Sequence, residues 1–121
     1  MTRDEFNAFC AALPQTTHVV QWGNADVWKV GGKIFAICGP WGEDRPDGSL
    51  KVSFKASDMA FHMLTEEPGL VPAPYLGRYK WVQMQEADAL SDDDLKAYIG
   101  EAHKIVASKL SKKVRLELTL D

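Results

Sequence analysis

The chain has 121 residues, of which 45% are hydrophobic and 26% are charged, and these values predict one globular domain over residues 1–121. Its net charge of −3 and pI near 5.6 argue against a protein that is basic as a whole, such as a strong nucleic-acid binder. The apolar runs are too short to span a membrane and none resembles a signal peptide, so we expect an unexported, cytoplasmic protein.

The first part of the chain predicts a helix followed by short strands. Thr2-Arg3-Asp4-Glu5 matches a capping box, and apolar residues recur at helical spacing until Pro14, which predicts a helix from Arg3 to Leu13. Gly31-Gly32 predicts a tight hairpin, because glycine readily adopts the positive φ that such turns require. The strands predicted here cover residues 19–22, 27–30, 33–38 and 50–55, with a turn-rich loop at 39–48.

The second part of the chain predicts two further helices and one strand. Ser57 and Ser91 are suited to cap helices, one over residues 58–67 and one starting at residue 92. A strand is predicted at residues 81–85, and residues 114–121 alternate in a way that fits either an edge strand or a tail with strand bias. The last helix carries an apolar stripe formed by Leu95, Tyr98, Ile99, Ala102, Val106 and Leu110.

The element order α-β-β-β-β-α-β-α predicts an α+β fold. Consecutive short strands joined by tight turns pair antiparallel, and helices near both ends of the chain can cover one face of the sheet. We therefore expect a two-layer sandwich whose antiparallel sheet has at least four strands. The buried residues are expected to include Phe6, Phe9, Leu13, Ile99 and Val106.

The segment from Pro72 to Trp81 is the main candidate for a recognition loop. Its two prolines restrict the backbone, and the aromatic and basic residues that follow suit a loop displayed between two structured elements. The rings predicted to line a groove or to stack on a ligand are Tyr75, Tyr79 and Trp81.

Basic residues of the predicted sheet extend this candidate site. Lys51 and Lys55 share a strand face with Ser53, and Lys29 or Lys33 is expected nearby across the hairpin. The set predicted to contact nucleic acid is Lys33, Lys51, Lys55, Arg78 and Lys80. A solvated sheet face with interspersed charges explains the same pattern. The basic end of the last helix, with Lys104, Lys109, Lys112 and Lys113, is explained by the helix dipole.

No residue pattern points to catalysis, to a metal or to a cofactor. His18, His62 and His103 lie on different predicted elements without ligand-like spacing, and the aspartates at 92–94 are explained by the positive end of a helix. Cys10 and Cys38 are well separated and are expected to be buried, reduced thiols. We therefore predict a protein that is not an enzyme and has no catalytic residue, metal site or cofactor.

The chain resembles the MmcQ/YjbR family of small bacterial proteins over nearly its whole length. The matching segments, in order, are Lys33-Ile34-Phe35-Ala36, Val52-Ser53-Phe54-Lys55-Ala56, Pro72-Ala73-Pro74-Tyr75-Leu76 before Trp81-Val82, and Lys109-Leu110-Ser111-Lys112-Lys113. The resemblance implies a frataxin-like α+β fold and DNA binding through hairpins described as a double wing. Ser111 stands where the family often has proline, which is expected to loosen the end of the last helix.

Two functions follow as hypotheses. The first is weak nucleic-acid binding without enzymatic activity, by a protein that we expect to be a monomer and not to bind membranes. The second is a module that binds a protein or a small ligand in a groove lined by the loop from Pro72 to Trp81.

Overall fold

A computed structural model describes residues 1–21, 24–39, 51–86 and 88–119. The helices are α1 (Arg3–Ala12), α2 (Asp58–Leu64), α3 (Asp92–Ser108) and α4 (Lys112–Glu117). The strands are β1 (Thr16–Gln21), β2 (Ala25–Val30), β3 (Lys33–Gly39), β4 (Lys51–Lys55), β5 (Leu70–Pro72) and β6 (Trp81–Met84), with a 3-10 turn at Gly77–Tyr79. None of the described helices is both long and apolar enough to cross a membrane.

The described strands form one antiparallel sheet in the order β1-β2-β3-β4-β6-β5. Gly31 and Gly32 have φ of 58° and 80°, so the predicted hairpin forms with its strands paired from Val30 opposite Lys33. The connection from β4 to β6 passes through α2 and the edge strand β5. The predicted α+β fold with an antiparallel sheet is therefore confirmed.

The helices α1 and α3 pack on one face of the sheet and form the main core. The predicted capping box is present at Thr2 and Glu5, and Ser91 caps α3 by accepting from the Asp94 amide. Phe6, Ile99 and Val106 are buried as expected, whereas Phe9 and Leu13 are only partly buried against the same core. The sheet contributes its inward residues to this layer, among them Trp28, Val30, Ala36, Cys38, Val52, Phe54, Val82 and Met84.

A second, smaller apolar cluster lies on the opposite face of the sheet. It contains Ala25, Val27 and Ile37 from β2 and β3, together with Trp81 from β6. Ala73 is buried in this cluster and Leu76 packs against it, so the start of the Pro-rich loop lies over the second face. The packing of Ala73 and Leu76 on the sheet removes their apolar surface from water and so holds the start of the loop in place.

Two elements differ from the sequence prediction. Residues 112–117 form the helix α4 rather than a strand or tail, because Ser111 accepts a hydrogen bond from the Val114 amide and starts a new helix. Ser111 therefore begins α4 and does not loosen α3, which already ends at Ser108. The strand β5 was not predicted at all, and it pairs with β6 from Leu70 opposite Met84 to Pro72 opposite Val82.

The ends of several elements also differ from the predicted ends. Helix α2 stops at Leu64 instead of residue 67, and it buries Phe61 while Met59 stays exposed. The strand β1 covers 16–21 rather than 19–22, and β6 ends at Met84. The loop was predicted at 39–48, but Gly39 ends β3, and the rest of that loop lies outside the described residues, as do Trp22, Leu50, Leu120 and Asp121.

Candidate nucleic-acid interface

Three lysines from distant parts of the chain line one cavity at an end of the sheet. Lys33 opens β3, Lys55 closes β4 opposite Trp81, and Lys109 caps the C-terminus of α3. Together with Ile34, Trp81 and Val106 they surround a cavity of about 270 Å³. The structure therefore brings together Lys33 and Lys55, two residues of the predicted basic set, and adds Lys109 to them. We call this cavity, lined by Lys33, Lys55 and Lys109, the lysine cavity.

A close contact between the β2–β3 hairpin and the end of α3 fixes this arrangement. The side chain of the buried Leu110 packs on Gly31, where an added Cβ would lie 2.5 Å from the Leu110 Cδ1. Because glycine has no Cβ and tolerates its φ of 58°, the helix end can approach the hairpin this closely. That approach brings Lys109, the neighbour of Leu110, to the start of β3.

Lys55 is the most enclosed cation of the cavity. It is half-buried, and its Nζ donates a hydrogen bond to the backbone carbonyl of Tyr79. Burial lowers the pKa of Lys55, and the charges of Lys109 and Lys80 lower it further, while Asp58 acts in the opposite direction. The amine therefore lies in a positive environment from which water is partly excluded.

Lys51, although it lies on the same strand face, is not part of this cavity. It sits at the opposite end of β4, paired with Gly39, and the four-residue rise separates it from Lys55 by about 13 Å. The predicted basic set is thus divided between two ends of the sheet. Lys51 provides a natural control for Lys55, since the two share a strand and a face.

The loop after β5 holds its aromatic and basic side chains in defined positions. Tyr75 has a φ of 65° and is 90% exposed, and Tyr79 is 53% exposed. The Arg78 guanidinium carbon lies 5.0 Å from the centre of the Tyr79 ring, and the Lys80 Nζ lies 5.1 Å from that of Phe61. Backbone hydrogen bonds from Ala73 N to Trp81 O and from Ala56 N to Lys80 O, both 2.9 Å, tie the loop to the sheet.

The stacking role predicted for Trp81 does not fit its position. The residue is 6% exposed and belongs to the apolar cluster on the second face, so its ring is not free to stack on an unpaired base. Trp81 instead forms part of the apolar lining of the lysine cavity. The exposed rings of the predicted recognition loop are Tyr75 and Tyr79.

The sequence prediction did not include Lys109 in the candidate site, because the basic end of the last helix was attributed to the helix dipole. That explanation does not hold for Lys112 and Lys113, which lie in the first turn of α4 at its positive end, where a cation is disfavoured. The available signal was the concentration of basic residues in this segment without an acid. The sequence alone does not show that Leu110 packs on Gly31, which is the contact that brings Lys109 close to the start of β3.

The histidines and cysteines have separate structural surroundings. His18 Nε2 lies 2.7 Å from Asp26 Oδ1, His103 Nε2 lies 2.8 Å from the Pro14 carbonyl oxygen, and His62 packs edge-on against Phe61. Cys10 and Cys38 are free and buried, and burial raises the pKa of both thiols, that of Cys38 to about 12. Within the described ranges, no group of three or more His, Cys, Asp or Glu is arranged to hold a metal ion.

A second cavity, of about 530 Å³, lies between the end of α1 and the middle of α3. Leu13 and Pro14 line one side, and the α3 residues opposite include Lys96, Glu101 and Lys104. Its two lysines share the lining with a carboxylate, whereas the lining of the lysine cavity contains no carboxylate within the described ranges. Lys104 therefore serves as a second control, on the same helix as Lys109.

Comparison with known proteins identifies the fold and the family of the chain. Two solved structures have the same fold. One, from Deinococcus radiodurans and assigned to the domain family DUF419, has a TM-score of 0.83 and 22% identity, with 99% of this chain and 89% of that chain covered. The other, a protein from Pseudomonas syringae, has a TM-score of 0.68 and 16% identity, with 88% of this chain and 99% of that chain covered. No curated protein matches the sequence. The YjbR family model matches residues 11–105, and the chain therefore belongs to the YjbR family.

Proposed function

We propose that this protein is a cytoplasmic, non-enzymatic domain that binds nucleic acid weakly through its lysine cavity and the adjacent loop. The observation that carries the proposal is the convergence of Lys33, Lys55 and Lys109 on one cavity, with no carboxylate among the described residues that line it. Lys80 adds its charge to the environment of Lys55, and Arg78 lies on the same loop. Phosphate affinity depends on such local positive potential.

The net charge of −3 is compatible with this proposal because the charges are separated along the molecule. The N-terminal turn of α3 carries Asp92, Asp93 and Asp94, whereas Lys109 lies at its other end. A helix of 17 residues is about 25 Å long, which exceeds the screening length of about 8 Å at physiological salt. The acidic end therefore does little to reduce the potential at the lysine cavity.

The expected strength follows from the small number of cations. Engagement of about three to five phosphates gives a slope of about −3 to −4.5 in log affinity against log salt on duplex DNA. The dissociation constant is expected at roughly 10⁻⁴ to 10⁻⁶ M at physiological salt, which is typical of non-specific binding. Fluorescence anisotropy with labelled duplex and single-stranded oligonucleotides over a salt series measures both quantities.

Matched variants locate the binding surface in the same assay. Lys33→Gln with Lys109→Gln should remove most of the binding and reduce the salt slope by about two, because each lost cation releases one phosphate contact. Lys51→Gln, at the far end of β4, should leave affinity within about twofold, because Lys51 lies about 13 Å from Lys55, beyond the screening length of about 8 Å. If wild-type protein gives no salt-dependent signal at low salt, or if the Lys51 variant loses as much as the double variant, the proposal fails.

A second candidate function is favoured by one observation on the same loop. Tyr75 and Tyr79 are large rings left in water on a backbone that is hydrogen-bonded to the sheet, which suits a preorganised contact with a protein or a small ligand. Tyr75→Ala in the same anisotropy series separates the two candidates. Unchanged oligonucleotide binding with loss of a partner found in pull-down favours the interaction module.

A further inference from the structure

We propose that the cavity lined by Lys33, Lys55 and Lys109 is a binding site for a terminal phosphate, that is, a phosphomonoester dianion at the end of a nucleic-acid strand or on a small molecule. The inference rests on the proposed function in so far as it uses the same surface. It adds that the group recognised is a phosphomonoester, whereas non-specific binding engages the diester backbone.

The cavity is built from four elements that the core holds in place. Its apolar lining includes Trp81 and Val106, which are 6% and 8% exposed and therefore cannot move far without opening a core cluster. Lys55 is held by its hydrogen bond to the Tyr79 carbonyl. The exposed Lys33 and Lys109 project from the hairpin and the helix end on either side.

The described residues that line the cavity carry an excess of positive charge. Among the described residues, neither Lys33, Lys55 nor Lys109 forms an ion pair with a carboxylate. Asp58, at the N-terminus of α2, is the acid whose charge reaches Lys55, and it is opposed by both Lys109 and Lys80. Lys55 and Lys109 repel one another beside an apolar surface, and an anion that enters the cavity relieves this repulsion, because Coulomb interactions strengthen where water is excluded.

Shape and charge together favour a monoester over a diester. A cavity of about 270 Å³ has ample room for a phosphate group. A backbone diester continues in both directions and carries one charge, whereas a terminal phosphate enters end-on and carries about −1.5 to −2 charges at pH 7. Its free oxygens can accept hydrogen bonds from several ammonium groups at once.

The state of Lys55 gives a readout that does not depend on nucleic acid. Burial and the Lys109 and Lys80 charges lower its pKa in the free protein, so a bound dianion should raise that pKa again. By linkage, the same phosphate should bind more weakly below pH of about 6, where it gains a proton. Carbon-13 NMR of the lysine side-chain methylenes follows Lys55, Lys33 and Lys109 directly, with the single Gln variants providing the assignments.

The experiment uses the full chain and two kinds of probe. The first compares a 5′-phosphorylated oligonucleotide with the same sequence carrying a 5′-hydroxyl, and we expect the phosphorylated form to bind at least about tenfold more tightly, the effect of one charge-assisted hydrogen bond. The second titrates inorganic phosphate and, as a monoanionic control, dimethyl phosphate. Inorganic phosphate should shift the three lysines and raise the Lys55 pKa, and dimethyl phosphate should have little effect.

Variants test the assignment of the site. Lys55→Gln should abolish the preference for the 5′-phosphate, whereas Lys51→Gln and Lys104→Gln should retain it, and thermal melting checks that each variant is folded. Equal binding of the two oligonucleotides together with no lysine shift in phosphate overturns the inference, while salt-dependent binding of both would leave the proposed function standing. Phosphate binding at the three lysines without any oligonucleotide binding supports a small phosphomonoester as ligand and refutes nucleic-acid binding.

Discussion

Asp26 is the buried carboxylate that joins the first helix to the sheet. It is 5% exposed, and its Oδ2 lies 3.1 Å from the Arg3 Nε while its Oδ1 lies 2.7 Å from the His18 Nε2. The His18 ring in turn lies 4.7 Å from that of Trp28. The Arg3 contact is an ion pair without hydrogen-bond geometry, and His18 supplies the hydrogen bond, so the two partners together offset part of the cost of burying the Asp26 carboxylate.

Asp26→Asn should destabilise the protein by about 1–3 kcal/mol, because it removes the counter-charge of Arg3 and alters the hydrogen bond with His18. Both partners keep about a third of their side-chain surface in water, which sets the effect below that of a fully buried pair. Urea unfolding followed by circular dichroism measures the change. The control is Glu101→Gln, an exposed acid on α3, which should stay within about 0.5 kcal/mol of wild type. A similar result for both variants would show that the contacts of Asp26 with Arg3 and His18 contribute nothing net to stability.

At the scale of elements, local signals in the sequence were sufficient where they were unambiguous. The capping box at Thr2, the Gly31-Gly32 hairpin and the Ser91 cap each determine a boundary through a few adjacent residues, and all three were found. The prediction for the α4 segment was wrong, because the spacing of Val114, Leu116 and Leu118 fits the period of two of a strand as well as a short helix. The Ser111 cap was the feature that decided between them.

Elements that depend on distant partners were less predictable. The strand β5 has three residues, contains a proline and forms only because β6 offers an edge to pair with. The site followed the same rule: Lys33 and Lys55 were proposed from strand alternation, but Lys109 reaches them through the packing of Leu110 on Gly31. No local pattern carries that contact.

At the scale of the whole molecule, the two buried thiols report on the opening of the main core. Cys10 lies on α1 and Cys38 on β3, both in the layer between helices and sheet, and burial raises the pKa of Cys38 to about 12. The reactive thiolate of Cys38 is thus a very small fraction of the population at pH 8, and both side chains are shielded from reagents.

We therefore expect a thiol reagent such as an aromatic disulfide to label the native protein slowly at pH 8 and the urea-unfolded protein at once. The native rate should rise with urea in parallel with unfolding, because labelling requires the helix layer to separate from the sheet. Rapid labelling of one thiol in native conditions would show that α1 opens independently of the rest.

The two edges of the sheet are protected very unequally. On one side β5 is short and ends in Pro72, which limits the backbone available for pairing. On the other side β1 runs for six residues without a charged lysine or a proline, and Val20 is 53% exposed. Such an edge can accept a strand from another molecule.

At high concentration we expect self-association that Val20→Lys suppresses, as measured by sedimentation velocity. Equal association of the wild-type protein and the Val20→Lys variant would assign the self-association to another surface. Solubility in this protein would then be limited by one exposed strand.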